Sequence, residues 1–362
     1  MKIVFMVNIY IKEYLMYKRK LILISIIFGT FVGFVFIFKF YKIFFLSNTK
    51  FKNDYSYVFI DRDDTIDSLK NQLLPILKSI KDFNIAANKK GYTDNIKPGK
   101  YKIDRGMGNN KIINSLRSKR LTVKVTFNNQ ERLEDLAGRV SYQIEADSLD
   151  LLNSFKNISF LKEFGFNAEN ALSMYFPNTY EVYWDILPDD FRKKMENYYK
   201  SFWNQKRLNL AKAIKLNPKE IYILASIVQK ESVKNEEKNR IAGVYINRLR
   251  RNMKLQADPT VIYAIKKMNN NYSRKIKRVL YRDLRIESRY NTYRYKGLPP
   301  GPISMPDISS IEAVLNYEKH DYLYFVVSPS KPGYHLFSKS LNKHNENKKK
   351  YTRWLNKNKI YR

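Results

Sequence analysis

The stretch NPKEIYILASIVQKES, residues 217–232, predicts an amphipathic helix that ends on a carboxylate. Asn217 is a suitable N-cap, Pro218 fits the first helical position, and Glu220 can complete a capping box. Apolar residues then recur at helical spacing, and the same stripe continues to Glu231. The pattern therefore predicts a glutamate at a position that should face the protein core.

A carboxyl group on a core-facing stripe is desolvated, which disfavours its charged form and raises its pKa. A glutamic acid of this kind can act as a general acid near neutral pH. The alternative is that the helix ends at Gln229 or Lys230 and that Glu231 points to water, as most glutamates do. Periodicity alone favours this second interpretation.

Polar and aromatic segments downstream of this helix would suit a groove for sugars. A second amphipathic helix begins near residue 239 and breaks at LQADPT (255–260), where Asp258-Pro259 is a turn signal. The segments that follow are RYNTY (289–293), GLPPGPIS (297–304), YLYFVV (322–327) and GYHLF (333–337). Tyrosine rings can stack on sugar rings, while Asn, Gln and Asp side chains bond hydroxyl groups. Each segment alone could equally be an ordinary turn or strand end.

The formal charge of +33 would ordinarily suggest a nucleic-acid partner. However, Lys, Asn, Ile and Tyr are all abundant, as A/T-rich codons would produce, and the basic residues are spread along the whole chain. We therefore do not expect nucleic acid as a partner. Attraction to an anionic membrane surface or to cell-wall polymers fits better.

The absence of cysteine from the 362 residues excludes disulfides and a thiolate nucleophile. The three histidines, His320, His335 and His344, include no pair at metal-ligand spacing, so we predict neither a metal site nor a cofactor.

An uncharged segment of 18 residues, LILISIIFGTFVGFVFIF (21–38), is just long enough to cross a membrane. The aromatic residues after it could lie at the interface, with Lys39 and Lys42 reaching towards the headgroups. A cleaved signal peptide is the alternative, but no small-residue cleavage site follows. We predict an N-terminal segment at 1–20, an anchor at 21–46 and a linker at 47–54. Basic residues flank the anchor on both sides, so charge does not orient it.

The remaining chain predicts an α+β protein with two domains. Residues 55–118 predict a small strand–helix–helix–strand-like unit, which includes IKPGKYKI (96–103) as a turn into a strand and contains no cluster of catalytic side chains. A strand pattern then opens a larger mixed domain, at 119–350, in which helical patterns prevail. A basic tail is predicted at 351–362.

The ordered motifs LASIVQKES, VYINRLRRNMKLQADPTVIYA, YNTYRYKGLPPGPIS, YLYFVV and GYHLFSKSLNKHN resemble those of the endolytic murein transglycosylase family, the YceG-like proteins. The similarity extends over residues 55–345 and includes FPNTYEVYW (176–184). It implies a single-pass plasma-membrane protein with a cytoplasmic N-terminus and an outer catalytic domain. The small domain at 55–118 would be LysM-like.

The resemblance also implies the reaction and the partners. The β-1,4 bond between N-acetylmuramic acid and N-acetylglucosamine would be cleaved within nascent peptidoglycan strands, which ends their elongation and leaves 1,6-anhydro ends. The expected partners are the glycan strands, the plasma membrane and peptidoglycan synthases.

The family motif carries the catalytic role to Glu231. The chain has Gln229, Asn178 and Ala257 where Glu, Asp and Ser or Thr are common, so acids at 229 and 178 are not expected to be required. The segment 297–301 is expected to shape the groove. Its predicted substrate-binding residues are Asn247, Gln256, Asp258, Tyr290, Asn291 and Tyr293.

A lytic transglycosylase needs only one carboxyl group, as acid and then as base, because the C6 hydroxyl of the substrate is the nucleophile. Three alternatives remain at this point. The chain could be a muramidase-type hydrolase in which Asp258 or another acid activates water. It could be a non-catalytic, membrane-tethered scaffold that binds the cell wall. A membrane-anchored nucleic-acid binder is the third and would leave the position of Glu231 unexplained.

Overall fold

The computed structural model describes residues 2–276 and 278–358. Met1, Lys277 and the last four residues of the predicted basic tail lie outside the described residues. The chain forms two compact units. Unit 1 comprises Met1–Thr122 and Tyr183–Asp185, and unit 2 comprises Val123–Val182 and Ile186–Arg362.

A single long helix, α1 (Lys2–Phe45), contains the predicted anchor up to its last residue. The part from Ile9 to Phe45 is long and apolar enough to cross a membrane, and its most apolar window has a mean hydropathy of 2.8. Its side chains are mostly exposed until Ile43 and Phe44, which are buried in the core of unit 1.

Unit 1 has the strand–helix–helix–strand order that the sequence predicts, followed by one more helix. Its elements are β1 (Tyr55–Ile60), α2 (Ile66–Leu73), α3 (Ile80–Lys89), β2 (Gly99–Asp104) and α4 (Asn109–Ser118). The two strands are antiparallel, with Tyr55 opposite Asp104. Alternate residues such as Val58 and Ile60 face the helices, which gives the period of two expected of a half-buried strand. The LysM-like character of this unit stays a prediction.

The C-terminal end of α1 is built into unit 1. The side-chain nitrogen of Asn109 donates a 2.7 Å hydrogen bond to the Ile43 carbonyl oxygen. The buried side chain of Asn48 donates to Asn109 Oδ1 and accepts from the backbone amide of Ser79. The buried amides satisfy backbone groups where the helix ends. As a result, the C-terminal end of α1 shares one core with the strands and helices of unit 1.

Unit 2 is a mixed α+β body dominated by helices. The strand β3 (Thr122–Phe127) pairs with β4 (Asn178–Tyr183), and β5 (Tyr324–Val327) forms an antiparallel hairpin with β6 (His335–Ser338). The helices are α5 (Leu133–Ser141), α6 (Ser148–Phe155), α7 (Ile158–Glu163), α8 (Pro188–Phe202), α9 (Gln205–Ile214), α10 (Pro218–Glu231), α11 (Asn235–Arg250), α12 (Asp258–Met268), α13 (Ile308–Leu315) and α14 (Leu341–Lys357). Short 3-10 turns lie at Ala171–Met174 and Asp283–Arg285. The domain boundary predicted at 350 falls inside α14.

The helix α10 lies at the centre of the larger core of unit 2. It packs against α9, α11, α12 and α13, and every residue from Ile221 to Val228 is buried. The prediction that only one face of α10 is buried was therefore wrong, because helices cover α10 on several sides. Its first turn, residues 218–220, is partly exposed, and its last turn, which carries Glu231, also reaches a partly open surface.

Candidate active site

The helix α10 delivers Glu231 to its C-terminal end. The predicted capping box is confirmed, since Asn217 Oδ1 accepts from the Glu220 amide at 3.0 Å and Glu220 Oε2 accepts from the Asn217 amide at 2.8 Å. The helix continues through Glu231, and Ser232 then adopts an extended conformation. The alternative of a helix ending at Gln229 or Lys230 is wrong.

Glu231 is half-buried and hydrogen-bonded rather than free in solvent. The Tyr245 hydroxyl on α11 donates to Glu231 Oε1 at 2.6 Å. The pKa of Glu231 is raised to about 7, chiefly by burial and also by the nearby Asp258 carboxylate, while the Tyr245 hydrogen bond and the Arg248 charge oppose the rise. The carboxyl group can therefore both give and take a proton near neutral pH.

A second polar pair lies beside Glu231. The Tyr293 hydroxyl donates to Asp258 Oδ1 at 2.6 Å. Both side chains interact electrostatically with Glu231, and Asp258 is exposed at the first residue of α12. Two of the six predicted groove residues therefore meet at the predicted catalytic glutamate.

Arg248 joins Gln256 to the same site. This buried guanidinium donates from Nε to the Leu323 carbonyl oxygen at 2.6 Å and from Nη1 to Gln256 Oε1 at 3.3 Å. Gln256 is exposed, with a left-handed φ of +50°, and its amide donates to the Thr292 carbonyl oxygen at 3.1 Å. Tertiary contacts on both sides hold this disfavoured backbone conformation in place.

The other three predicted groove residues make internal contacts. Asn247 donates to the carbonyl oxygens of His320 at 2.6 Å and Tyr322 at 3.1 Å. The buried Tyr290 hydroxyl donates to Glu169 Oε2 at 2.7 Å, and Tyr290 lines a hollow of about 250 Å³ that does not include Glu231 in its lining. The structure does not bring these two side chains into the cluster around Glu231.

Asn291 is fully buried and holds its own loop together. Its amide nitrogen donates to the carbonyl oxygens of Leu284 at 3.0 Å and Ile286 at 2.8 Å, and its Oδ1 accepts from the Tyr293 amide at 3.0 Å. The side chain thus supports the backbone that carries Tyr293.

Replacing Asn291 by alanine is expected to lower the free energy of unfolding by about 1–3 kcal/mol, because buried backbone groups lose their partners. Chemical denaturation measures this change. The control Asn345→Ala, on the exposed side of α14, is expected to change it by less than about 0.5 kcal/mol. Equal stability of both variants would show that the Asn291 bonds are dispensable.

Sequence reasoning missed Tyr245 and Arg248 as parts of the site. Periodicity places Tyr245 on the apolar stripe of α11, where a tyrosine looks like an ordinary core residue. One sequence feature could have identified them, because Arg248 follows Tyr245 by three positions and lies on the same helical face. A cation on a buried face indicates local polar partners.

The departure at Gln229 has a structural explanation. Its Nε2 donates to Asp307 Oδ2 at 3.0 Å, while its Oε1 accepts from Lys238 Nζ at 3.2 Å and from the Ser310 hydroxyl. The amide thus links buried Lys238 to the carboxylate of Asp307 and joins α10 to α11 and α13. An acid at position 229 is not needed to place a negative charge in this cluster.

Gly301 shapes the Pro/Gly turn predicted at 297–301. A Cβ atom there would lie 1.9 Å from the Glu169 carbonyl oxygen and 2.9 Å from the Tyr290 hydroxyl oxygen. Only glycine leaves room for this approach. Among residues 2–276 and 278–358, no group of three or more His, Asp or Glu residues is arranged to hold a metal ion.

Comparison with known proteins identifies the family. Residues 58–350 match the model of the YceG-like family. The endolytic murein transglycosylase of Bacillus subtilis (strain 168) is 31% identical over 293 residues, which cover 76% of this chain and 78% of the relative. That of Streptococcus pneumoniae serotype 2 is 35% identical over 155 residues, which cover 42% of this chain and 27% of the relative.

A solved structure agrees with the sequence comparison. The crystal structure of a YceG-like protein from Listeria monocytogenes superposes with a TM-score of 0.53 at 28% identity, covering 81% of this chain and 98% of that one. The match to the family model and the similarity to the Bacillus subtilis relative lead to the same conclusion. The chain belongs to the YceG-like family.

Proposed function

We propose that the protein is a lytic transglycosylase that cleaves peptidoglycan glycan strands, with Glu231 as its catalytic acid and base. The observation that carries this proposal is the half-buried Glu231 carboxyl group, whose pKa of about 7 suits both roles. The names of the relatives support the same reaction class. The finer steps below are part of the proposal.

The reaction would take place in two proton transfers. Protonated Glu231 gives its proton to the oxygen of the β-1,4 bond as the bond from that oxygen to the anomeric carbon of N-acetylmuramic acid breaks. The N-acetyl carbonyl supports the positive charge at that carbon. The C6 hydroxyl of the same sugar then forms a bond to the anomeric carbon, and its proton returns to Glu231. The products are a free 4-hydroxyl group and a 1,6-anhydro end, without consumption of water.

The neighbouring side chains would bind the strand. Asp258, Tyr293 and Gln256 can bond sugar hydroxyl groups beside Glu231, and the charge of Asp258 adds to burial in favouring the protonated form of Glu231. Asn247, Tyr290 and Asn291 would act indirectly, by holding the segments that line the groove.

The N-terminal helix supports a membrane location for this activity. We propose that α1 spans the plasma membrane with the N-terminus in the cytoplasm, so that units 1 and 2 act on nascent strands outside. Because the end of α1 is buried in unit 1, that unit would lie directly at the membrane surface. A LysM-like contact of unit 1 with glycan, and peptidoglycan synthases as suppliers of strands, complete this proposal.

Digestion of purified glycan strands by the full chain in detergent tests the proposed reaction. We expect mass spectrometry of the products to show 1,6-anhydro ends. Binding of strands without cleavage would instead support a wall-binding scaffold.

A hydrolase of the muramidase type is the second candidate, because the Asp258 carboxylate lies beside Glu231 and two carboxyl groups are what most glycosidases use. In that case Asp258 would activate water. Reducing ends in place of anhydro ends would identify this reaction.

Burial of Glu231 also gives the protein a measurable pH dependence. The pKa of Glu231 is raised from its ordinary value of 4.5 to about 7 in the folded state, so its contribution to stability is complete below about pH 4.5 and is lost as the pH rises through 7. We therefore expect Glu231→Gln to raise the melting temperature, relative to wild type, more at pH 8 than at pH 5.

Scanning calorimetry at the two pH values measures the difference. The control Glu163→Gln makes the same change of charge on an exposed side chain and isolates the effect of burial. If Glu231→Gln raised the melting temperature by the same amount at pH 5 and at pH 8, a raised pKa of Glu231 would be excluded.

A further inference from the structure

Tyr245 is the group in direct hydrogen-bond contact with Glu231, yet the proposed reaction gives it no task. It is 1% exposed, in the middle of α11, and its hydroxyl lies 2.6 Å from Glu231 Oε1. A buried hydroxyl of this kind cannot reach a sugar in the groove. Any effect of Tyr245 on the reaction must therefore pass through Glu231.

The β5–β6 hairpin holds the Tyr245 ring in place. The Phe325 ring of β5 packs edge-on against Tyr245, with a centroid distance of 5.8 Å, and against the His335 ring at 5.2 Å. His335 Nδ1 lies 2.9 Å from Glu237 Oε2, and both side chains are buried. Phe325 of the YLYFVV motif thus packs behind the tyrosine, and His335 of the GYHLF motif supports it.

We propose that Tyr245 is a positioning residue that keeps the reactive proton of Glu231 on Oε2. The proposal rests on the proposed role of Glu231. A protonated carboxyl group carries its proton on one oxygen, and the oxygen that accepts a short hydrogen bond acts as the carbonyl oxygen. Because Tyr245 donates to Oε1, the proton belongs on Oε2. The same bond limits rotation of the carboxyl group and aims Oε2 towards the strand.

Burial is the largest cause of the raised pKa of Glu231, and four titratable neighbours on three segments face its carboxyl group. Tyr245 and the Arg248 cation lie on α11, the Asp258 carboxylate lies at the start of α12, and Tyr293 lies on the loop after residue 290. The Tyr245 bond and the Arg248 charge lower the pKa of Glu231, whereas Asp258 raises it. Loss of the Tyr245 hydroxyl should therefore raise the pKa of Glu231 and leave its carboxyl group freer to rotate.

The test compares Tyr245→Phe with Tyr222→Phe in the full chain. Tyr222 is also buried, and its hydroxyl donates to the Tyr175 carbonyl oxygen at 2.5 Å, so its removal breaks a buried hydrogen bond that does not involve Glu231. For Tyr245→Phe we expect kcat to fall by about 10- to 100-fold with KM unchanged. We also expect the alkaline limb of its kcat profile to move to higher pH. The Tyr222→Phe profile is expected to keep the wild-type limb.

The outcome separates this inference from the proposed function. Wild-type kcat and an unmoved alkaline limb in Tyr245→Phe would overturn the positioning role even when Glu231→Gln is inactive. Activity of Glu231→Gln would overturn the proposed function instead. If Tyr245→Phe does not fold, Phe325→Leu loosens the ring and keeps the hydroxyl. For Phe325→Leu, a fall in kcat smaller than that expected for Tyr245→Phe, with the alkaline limb also moved to higher pH, would support the inference. A wild-type pH profile of kcat would contradict it.

Discussion

Replacing Glu231 by glutamine is expected to reduce strand cleavage by at least about 10³-fold and to leave the fold intact. Glutamine preserves the shape of the side chain at the end of α10 and can still meet the Tyr245 hydroxyl through its carbonyl oxygen. It cannot release a proton to the glycosidic oxygen or take one from the C6 hydroxyl. Both proposed proton transfers are lost in a single substitution.

The release of soluble fragments from purified glycan strands measures this loss, and circular dichroism checks the fold. Glu163→Gln is the matched control, because it makes the same chemical change on an exposed residue of α7 and should retain wild-type activity. Full activity of Glu231→Gln would remove Glu231 from the mechanism. If neither wild type nor Glu231→Gln cleaved strands and both supported growth of the organism, the scaffold interpretation would gain support instead.

The second large effect is expected from Gly301→Ala. The added Cβ would lie 1.9 Å from a backbone carbonyl oxygen of Glu169, which cannot move aside as a flexible side chain can. The φ angle of Gly301 is not left-handed, so the reason is space alone. Forcing extra volume into a packed interior typically costs about 1–3 kcal/mol. Displacement of the turn should also disturb the bond from Tyr290 to Glu169.

Chemical denaturation of Gly301→Ala measures the loss of unfolding free energy. The matched control is Gly138→Ala in α5, where no atom lies within 4 Å of the new Cβ. There the helix should gain up to about 1 kcal/mol, because alanine is the better helix former. Comparable stability of Gly301→Ala and wild type would show that the turn is not as tightly packed as the structure describes.

Local rules predicted the parts of the fold that depend on near neighbours. The capping box of Asn217 and Glu220, the continuation of α10 to Glu231 in the first interpretation, and the strand–helix–helix–strand order of unit 1 all follow from spacing of a few residues. The mixed α+β class and the long apolar N-terminal helix were predicted on the same grounds.

Contacts between distant residues could not be predicted in this way. Gly301 must be glycine because of Glu169, and Tyr290 bonds the same glutamate, but more than a hundred residues separate these partners in the chain. Asn291 was predicted to bind substrate in the groove, yet its side-chain nitrogen donates to carbonyl oxygens of its own loop. The burial of α10 on several sides depends on α9, α11, α12 and α13, and no property of its own sequence reveals how many helices cover it.

The most direct measurement is digestion of purified glycan strands in water enriched in ¹⁸O, followed by mass analysis of the new chain ends. An intramolecular attack by the C6 hydroxyl uses no water. We therefore expect new ends that carry the 1,6-anhydro ring and no ¹⁸O, and no such ends from Glu231→Gln. Reducing ends that contain ¹⁸O would contradict the transglycosylase mechanism and identify a hydrolase.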